Sequence, residues 1–277
     1  MPRKMDIAIV GLGNWGTSLA HASLASGIAL REVVVRSVRP SFGLPQVKFK
    51  NAAFDAQILW LCVRDAEIPD VAESIVARRG RLDEQIVVHS SGALSVDALA
   101  AAKRAGAQVA SLAPVMSFPT RTPVSLTGVL FAVEAEPAIR GRLHTLVRKL
   151  GGKPFSVASS RKPMYHAAAT LASPLLVSEL SAAMATARLA GLSETDAGRW
   201  IAALAQATMR NMFERGARKS FSGAFARGDV ETIRLHLKAL APHPILAEIY
   251  RSLATHGIEV LPVKRREALR SLLKKTR

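Results

Sequence analysis

The 277-residue chain is long enough for one large domain or two ordinary ones, and 49% hydrophobic residues can fill a substantial core. Its single cysteine, Cys62, excludes a disulfide framework and a clustered cysteine–histidine metal site, so the reading is cytoplasmic with no metal, and the lack of any run of 18 apolar residues predicts no membrane span. A net charge of +17 admits an anionic partner, but aromatics are 5% and are not interleaved with the basic runs, so nucleic acid is not the partner expected.

Taken in order, the chain opens on an apolar run, Met5 to Val10, too short for a signal peptide, which leads straight into Gly11-Leu12-Gly13-Asn14-Trp15-Gly16. An alanine-rich helical pattern follows. Strand, G-x-G-x-x-G and helix in that order suit a dinucleotide-binding turn, although a bare strand-to-helix turn uses the same glycines. Gly11 would permit the tight turn, Gly13 the approach of a pyrophosphate, and Gly16 close packing of the helix, with the phosphates on the helix N-terminus. A second strand-like run, 32–36, ends where a carboxylate about 20 residues past the glycines would bind the ribose of NAD. Arg36 stands there instead. Arg36-Ser37-Val38-Arg39 offers two guanidiniums and a hydroxyl, which suit a 2′-phosphate and predict NADP(H), the alternative being a solvated basic turn.

Residues 58–63 read as a buried third strand, 63–79 as its helix, 86–89 as a fourth strand, 94–104 as a helix and 108–112 as a fifth strand. A sixth strand at 129–133, a helix at 137–150 begun by Pro137, and a proline-bearing edge strand at 153–157 complete the pattern. Alternation of this kind predicts an α/β fold with a doubly wound, mainly parallel Rossmann sheet. Beyond Ser160 helical patterns replace strands, which predicts a nucleotide domain over 1–158 and an all-α substrate and dimerisation domain over 159–277. A helix from Pro163 toward Gly191 should kink at Pro174, Ser193 should cap a helix to about Arg215, Asp229 one over 230–240, and a further helix should cover 244–256. Leu269, Leu272 and Leu273, flanked by the basic runs 264–266 and 274–277, predict a terminal helix with a solvated basic face. Alanine-rich helical faces wider than a small sheet can cover predict a homodimer.

Four stretches together resemble a known family: residues 11–16, His89-Ser90-Ser91-Gly92-Ala93-Leu94, Tyr165-His166-Ala167-Ala168-Ala169 and Ala226-Arg227-Gly228-Asp229-Val230-Glu231-Thr232-Ile233. The family joins a Rossmann-like NADP-binding domain to a C-terminal helical domain of unknown function, domain of unknown function 2520. It belongs with the pyrroline-carboxylate reductases, ketopantoate reductases and β-hydroxyacid dehydrogenases. The resemblance implies hydride transfer between NADPH and a small, anionic carbonyl or imine substrate. Pro174, Ala113 and Ala224 depart from the family pattern of Asn, His and Pro, which leaves open a non-catalytic NADP-binding protein acting through partner contacts of its helical domain.

In sheets of this kind the site lies beyond the carboxyl ends of the strands, which places Val63 and Arg64, with His89, Ser90 and Ser91, at its floor. Lys162, Tyr165 and His166 cluster at the start of the first helix beyond the sheet, where spacing sets Lys162 and His166 one turn apart. A helix N-terminus would keep His166 mainly neutral and able to pass a proton, unless it is only a packing residue. Tyr165 is a candidate acid or a half-buried aromatic, Arg227 a clamp for a substrate carboxylate or a loop tie, and Asp229 a base or a helix cap.

Overall fold

The computed structural model describes residues 5–39 and 43–274, so the first four residues and the tail Lys275–Arg277 lie outside the described residues. Its first strand, β1 (Asp6–Val10), is buried along its whole length. Ile7 and Ile9 face one side of the sheet and Ala8 and Val10 the other, as the period of two requires. α1 (Asn14–Ala25), β2 (Ala29–Val35), the short β3 (Gln46–Lys48) and β4 (Ile58–Leu61) follow. The first unit then continues with α2 (Ile68–Arg79), β5 (Ile86–His89), α3 (Ala100–Arg104), β6 (Gln108–Pro114), β7 (Leu130–Ala135), α4 (Pro137–Lys149), β8 (Lys153–Ser156) and α5 (Lys162–Ala172).

The eight strands lie in the order β3-β2-β1-β4-β5-β6-β7-β8. Every neighbouring pair is parallel except β6 and β7. The helices α1, α2, α3 and α4 each return the chain to the same end of the sheet and keep the strands they connect parallel. Between β6 and β7 the segment 115–129, with Pro119 and Pro123, forms no helix, so β7 comes back antiparallel. The predicted doubly wound, mainly parallel sheet is therefore present, with this one reversal. β3 carries too few residues to show a period and sits at an edge, where short strands limit unwanted pairing. The predicted helix at 94–104 is a 3-10 turn, Val96–Leu99, started by the Ser95 hydroxyl and followed by α3.

The chain divides into two compact units, up to Thr170 and from Leu171. Strand signals stop near residue 158, yet Lys162 is a fully buried member of the first unit, which carries that unit into α5.

In the second unit α6 (Pro174–Leu189) starts at Pro174 instead of continuing a kinked helix. Proline costs nothing at a first helical position, because its missing N–H would be unpaired there anyway. α7 (Glu194–Arg215) is capped by Ser193, whose hydroxyl accepts the Asp196 N–H. α8 (Ala217–Ser220), α9 (Gly223–Arg227), α10 (Val230–Leu240), α11 (Pro244–Val260) and α12 (Arg266–Leu273) complete it. Val230, Ile233 and Leu237 of α10, Ala254 and Ile258 of α11, and Leu269 and Leu273 of α12 form its core. The basic terminal helix thus spends its leucines on that core, and Arg270 holds α11 through a bidentate pair with Glu259 at 2.7 Å. Taken together across the break at Ser173, the described residues Ser159–Leu189 are long and apolar enough to cross a membrane by length and composition, an 18-residue window reaching mean hydropathy 1.3.

Candidate functional site

The strand order reverses at β1, between β2 and β4, and the loops beyond the carboxyl ends of these strands form the crevice where such sheets bind ligands. Gly11 leaves β1 at φ +103°, and a Cβ there would lie 2.6 Å from the Cys62 carbonyl oxygen. At Gly16 a Cβ would come 2.1 Å from the Gly11 carbonyl oxygen, so α1 packs on the turn at a distance only glycine allows. A Cβ on Gly13 would meet nothing. The backbone at Gly13 is therefore open to close approach from the cleft side. α1 begins at Asn14 with no side-chain cap and no acid in its first turn, which leaves its N-terminal N–H groups and dipole for an anion.

A cleft of about 500 Å³ opens beside this turn. Gly11, Leu12 and Gly13 line it together with Arg36, Ser37 and Arg39 after β2 and Val63 and Arg64 after β4. The residues predicted to hold an adenosine phosphate are thus brought together on one cleft, and they fit such a group. Asn14 and Trp15 act differently. The Asn14 amide donates to the Phe118 carbonyl at 2.7 Å, and the Trp15 ring lies 5.0 Å from that of Phe118, so both hold the segment 115–129. That segment also delivers Arg121 to the cleft.

Beyond β5 the polar groups turn inward. His89 is fully buried, with Nδ1 accepting the Ser91 N–H at 3.1 Å and Nε2 3.1 Å from the Ser95 carbonyl, which sets the Nε2–H tautomer. Burial, and then the charge of Lys162, push its pKa down to about 4, so it stays neutral. The Ser90 hydroxyl accepts both the Trp15 and the Trp60 indole N–H at 2.7 Å. Ser91 donates to Asp65 at 2.6 Å and accepts the N–H groups of Ala93 and Leu94. Neither His89 nor Ser90 is on the lining of the cleft.

Lys162 is 2% exposed. Its Nζ donates to the Ser111 hydroxyl at 2.6 Å and the Ser91 carbonyl at 3.2 Å, and lies 3.1 Å from Glu134 Oε2. The hydroxyl and the carbonyl take two of the ammonium's three donors, and Glu134 balances its charge as an ion pair, its Oε2 making no hydrogen bond. Burial pushes the ammonium below the ordinary lysine range, against the pull of Glu134. The other Glu134 oxygen accepts the Ser159 hydroxyl at 2.5 Å and the Val96 N–H at 3.2 Å.

One turn on, the His166 ring faces the same loop, since a Cβ on Gly92 would come 2.7 Å from His166 Nδ1. His166 is exposed. Tyr165 is half-buried with its ring edge-on to Phe155 at 5.9 Å, and burial raises its pKa. The start of α5 therefore gives one anchored cation, one packed aromatic and one solvent-facing imidazole.

Arg227 and Asp229 belong to the second unit. Arg227 ends α9 and is exposed. Asp229 caps α10, accepting the Thr232 N–H at 3.2 Å and its hydroxyl at 2.8 Å, and these bonds, with Arg227 and Arg265, hold its carboxyl below the usual range. The same unit has an apolar groove of about 630 Å³ bordered by Ala183, Trp200, Ile201, Leu240 and Leu253. In it His236 Nδ1 meets the Tyr250 hydroxyl at 2.8 Å.

Glu67, Arg121, Ser111 and Glu134 escape the sequence reading. Glu67 lies in the predicted helix 63–79, three residues past Arg64 at the floor of the site, whereas Glu134 shows only as an acid among apolar neighbours in β7.

The chain matches the model of a Rossmann-like domain over residues 1–114 and that of domain of unknown function DUF2520 over residues 129–256. No match is found among the curated proteins. Among solved structures it is similar to a Bacteroides fragilis protein carrying the provisional name NADP oxidoreductase, at 20% identity and TM-score 0.73, over 91% of this chain and 96% of that one. A reductive aminase from Aspergillus terreus in complex with NADPH and ethyl-5-oxohexanoate matches at 15% identity and TM-score 0.69, over 97% and 99%. Pyrroline carboxylate reductase of Plasmodium falciparum with NADP bound matches at 11% identity and TM-score 0.62, over 97% and 95%.

Proposed function

For a chain that joins a Rossmann-like domain to DUF2520 in that order, we propose a cytoplasmic NADP(H)-dependent oxidoreductase that reduces a small, anionic carbonyl or imine compound. The observation that carries the reading is the cleft at the strand reversal, where arginines and a hydroxyl follow β2 in place of a carboxylate. The names of the Aspergillus and Plasmodium proteins, solved with NADPH and NADP, support the choice of cofactor. When bound, NADPH supplies the hydride. The N–H groups at the start of α1 receive the pyrophosphate, and Arg36 and Arg39 the 2′-phosphate. His166, exposed to solvent and packed on Gly92, delivers the proton to the substrate oxygen or nitrogen. Lys162, buried beside Glu134 and Ser111, acts as a positioning residue, holding the carbonyl of Ser91 and so the loop on which His166 rests.

Charge-assisted hydrogen bonds to the 2′-phosphate contribute about 1.5–3 kcal/mol, so Arg36→Asp should weaken NADPH binding roughly tenfold to a hundredfold and leave NADH binding nearly unchanged. Titration of both nucleotides into both proteins checks this, and equal wild-type affinities for NADPH and NADH would sink the assignment. A turnover screen against keto acids, imines and aldehydes tests the activity itself. Tight NADPH binding without oxidation of any of them would favour a non-catalytic NADP-binding protein.

The homodimer is part of the same reading. α6 buries only Ala187 and α7 only Ala197 and Ile201, while Leu175, Val177, Trp200, Leu204 and Phe213 are exposed. Charges such as Glu179, Arg199 and Arg210 interrupt these helices, which suits a second copy better than lipid. Light scattering across a concentration series should give twice the monomer mass, and a strict monomer at high micromolar concentration would remove the idea.

A further inference from the structure

One carboxylate stands among the cations of the nucleotide cleft. Arg36, Arg39, Arg64 and Arg121 all contribute to its lining, and Glu67 is the one acid there among the described residues. Glu67 Oε1 accepts Arg36 Nη2 at 2.5 Å and Arg64 Nη2 at 2.7 Å, so guanidiniums from the ends of β2 and β4 converge on a single oxygen. The Glu67 side chain is 23% exposed against 86% for Arg36 and 81% for Arg64. The carboxylate is thus the seated member and the two arginines are the members free to swing.

Exposed pairs of this kind are weak, because water competes for both partners and two long side chains lose freedom. A better anion can therefore take the guanidiniums away from Glu67. A phosphate that does so lies near a carboxylate and is repelled by it, whereas a ribose hydroxyl at the same place carries no charge to repel. We propose that Glu67 sets the cofactor selectivity of this cleft, as a built-in competitor for Arg36 and Arg64 that reduces the advantage of a 2′-phosphate over a 2′-hydroxyl. The proposal rests on the NADP(H) reading above. Hydrogen bonds from Arg64 and Arg36 hold the Glu67 carboxyl down at about 2, so the competitor stays charged throughout the neutral range.

The test is a fluorescence titration of NADPH and NADH into the wild-type protein, Glu67→Gln, Arg36→Gln and the double variant, at low ionic strength. Glu67→Gln keeps the side-chain shape and should tighten NADPH about fivefold while NADH changes less than about twofold. Starting from Arg36→Gln, the same substitution should gain less than about twofold, because half of the contested cation is gone. NADPH binding that is unchanged or weaker in Glu67→Gln overturns the proposal, as does an equal gain for NADH. A wild-type protein that binds neither nucleotide fails differently, removing the cofactor reading and the proposal with it.

Discussion

Replacing Lys162 by Met should lower the stability of the first unit by about 3–5 kcal/mol, because it strands the Glu134 carboxylate in the interior. The wild-type pair is 3.1 Å apart with side chains 2% and 7% exposed. The Ser111 hydroxyl would lose its donor in the same step, and the Ser91 carbonyl would keep only the hydrogen bond from Ser111. Adding Glu134→Gln removes the uncompensated charge and should recover more than half of the loss, since a buried pair replaced at both ends is far less costly than one broken at one end. Urea unfolding followed through Trp15 and Trp60, both in the first unit, reads the effect. A loss below about 1 kcal/mol in the single variant, or no recovery in the double one, would show that Lys162 does not anchor this loop.

The parts of the fold that were legible in the sequence are those where one local rule dominates. β1, the glycine turn and α1 follow from an apolar run, three glycines and a helical pattern, and β5 and α10 appear at the predicted residues because burial on both faces and a capping Asp229 mark them. Long-range pairing was not legible. Nothing local says that β7 returns antiparallel to β6, and a lysine at a helix start reads equally well as a solvent-facing acid and as the partner of a glutamate in another strand. The same limit governs the site. The cleft residues Gly11, Gly13, Arg36 and Arg64 were visible because each follows its strand directly. Arg121 reaches that cleft from a segment without periodicity, held over α1 by the Asn14 amide, the Ser18 hydroxyl and a ring contact.

The residues proposed for selectivity and for proton delivery lie on different loops of the first unit. Arg36 and Glu67 line the nucleotide cleft, while His166 sits against Gly92 and does not. If His166 delivers the proton, His166→Ala should lower turnover by about 10²–10⁴-fold while NADPH affinity stays within about twofold. Gly92→Ala provides an independent probe, since its new methyl group would press on His166 Nδ1 at 2.7 Å and displace the ring without removing it. A fall of roughly tenfold in turnover, again with NADPH affinity intact, is the expected result for a ring moved out of line. Steady-state kinetics on a substrate found in the screen, alongside nucleotide titrations, separates these effects from general damage to the fold. Turnover unchanged in His166→Ala would assign the imidazole to packing on the loop, and the proton would then have to come from water or from a group other than the anchored Lys162.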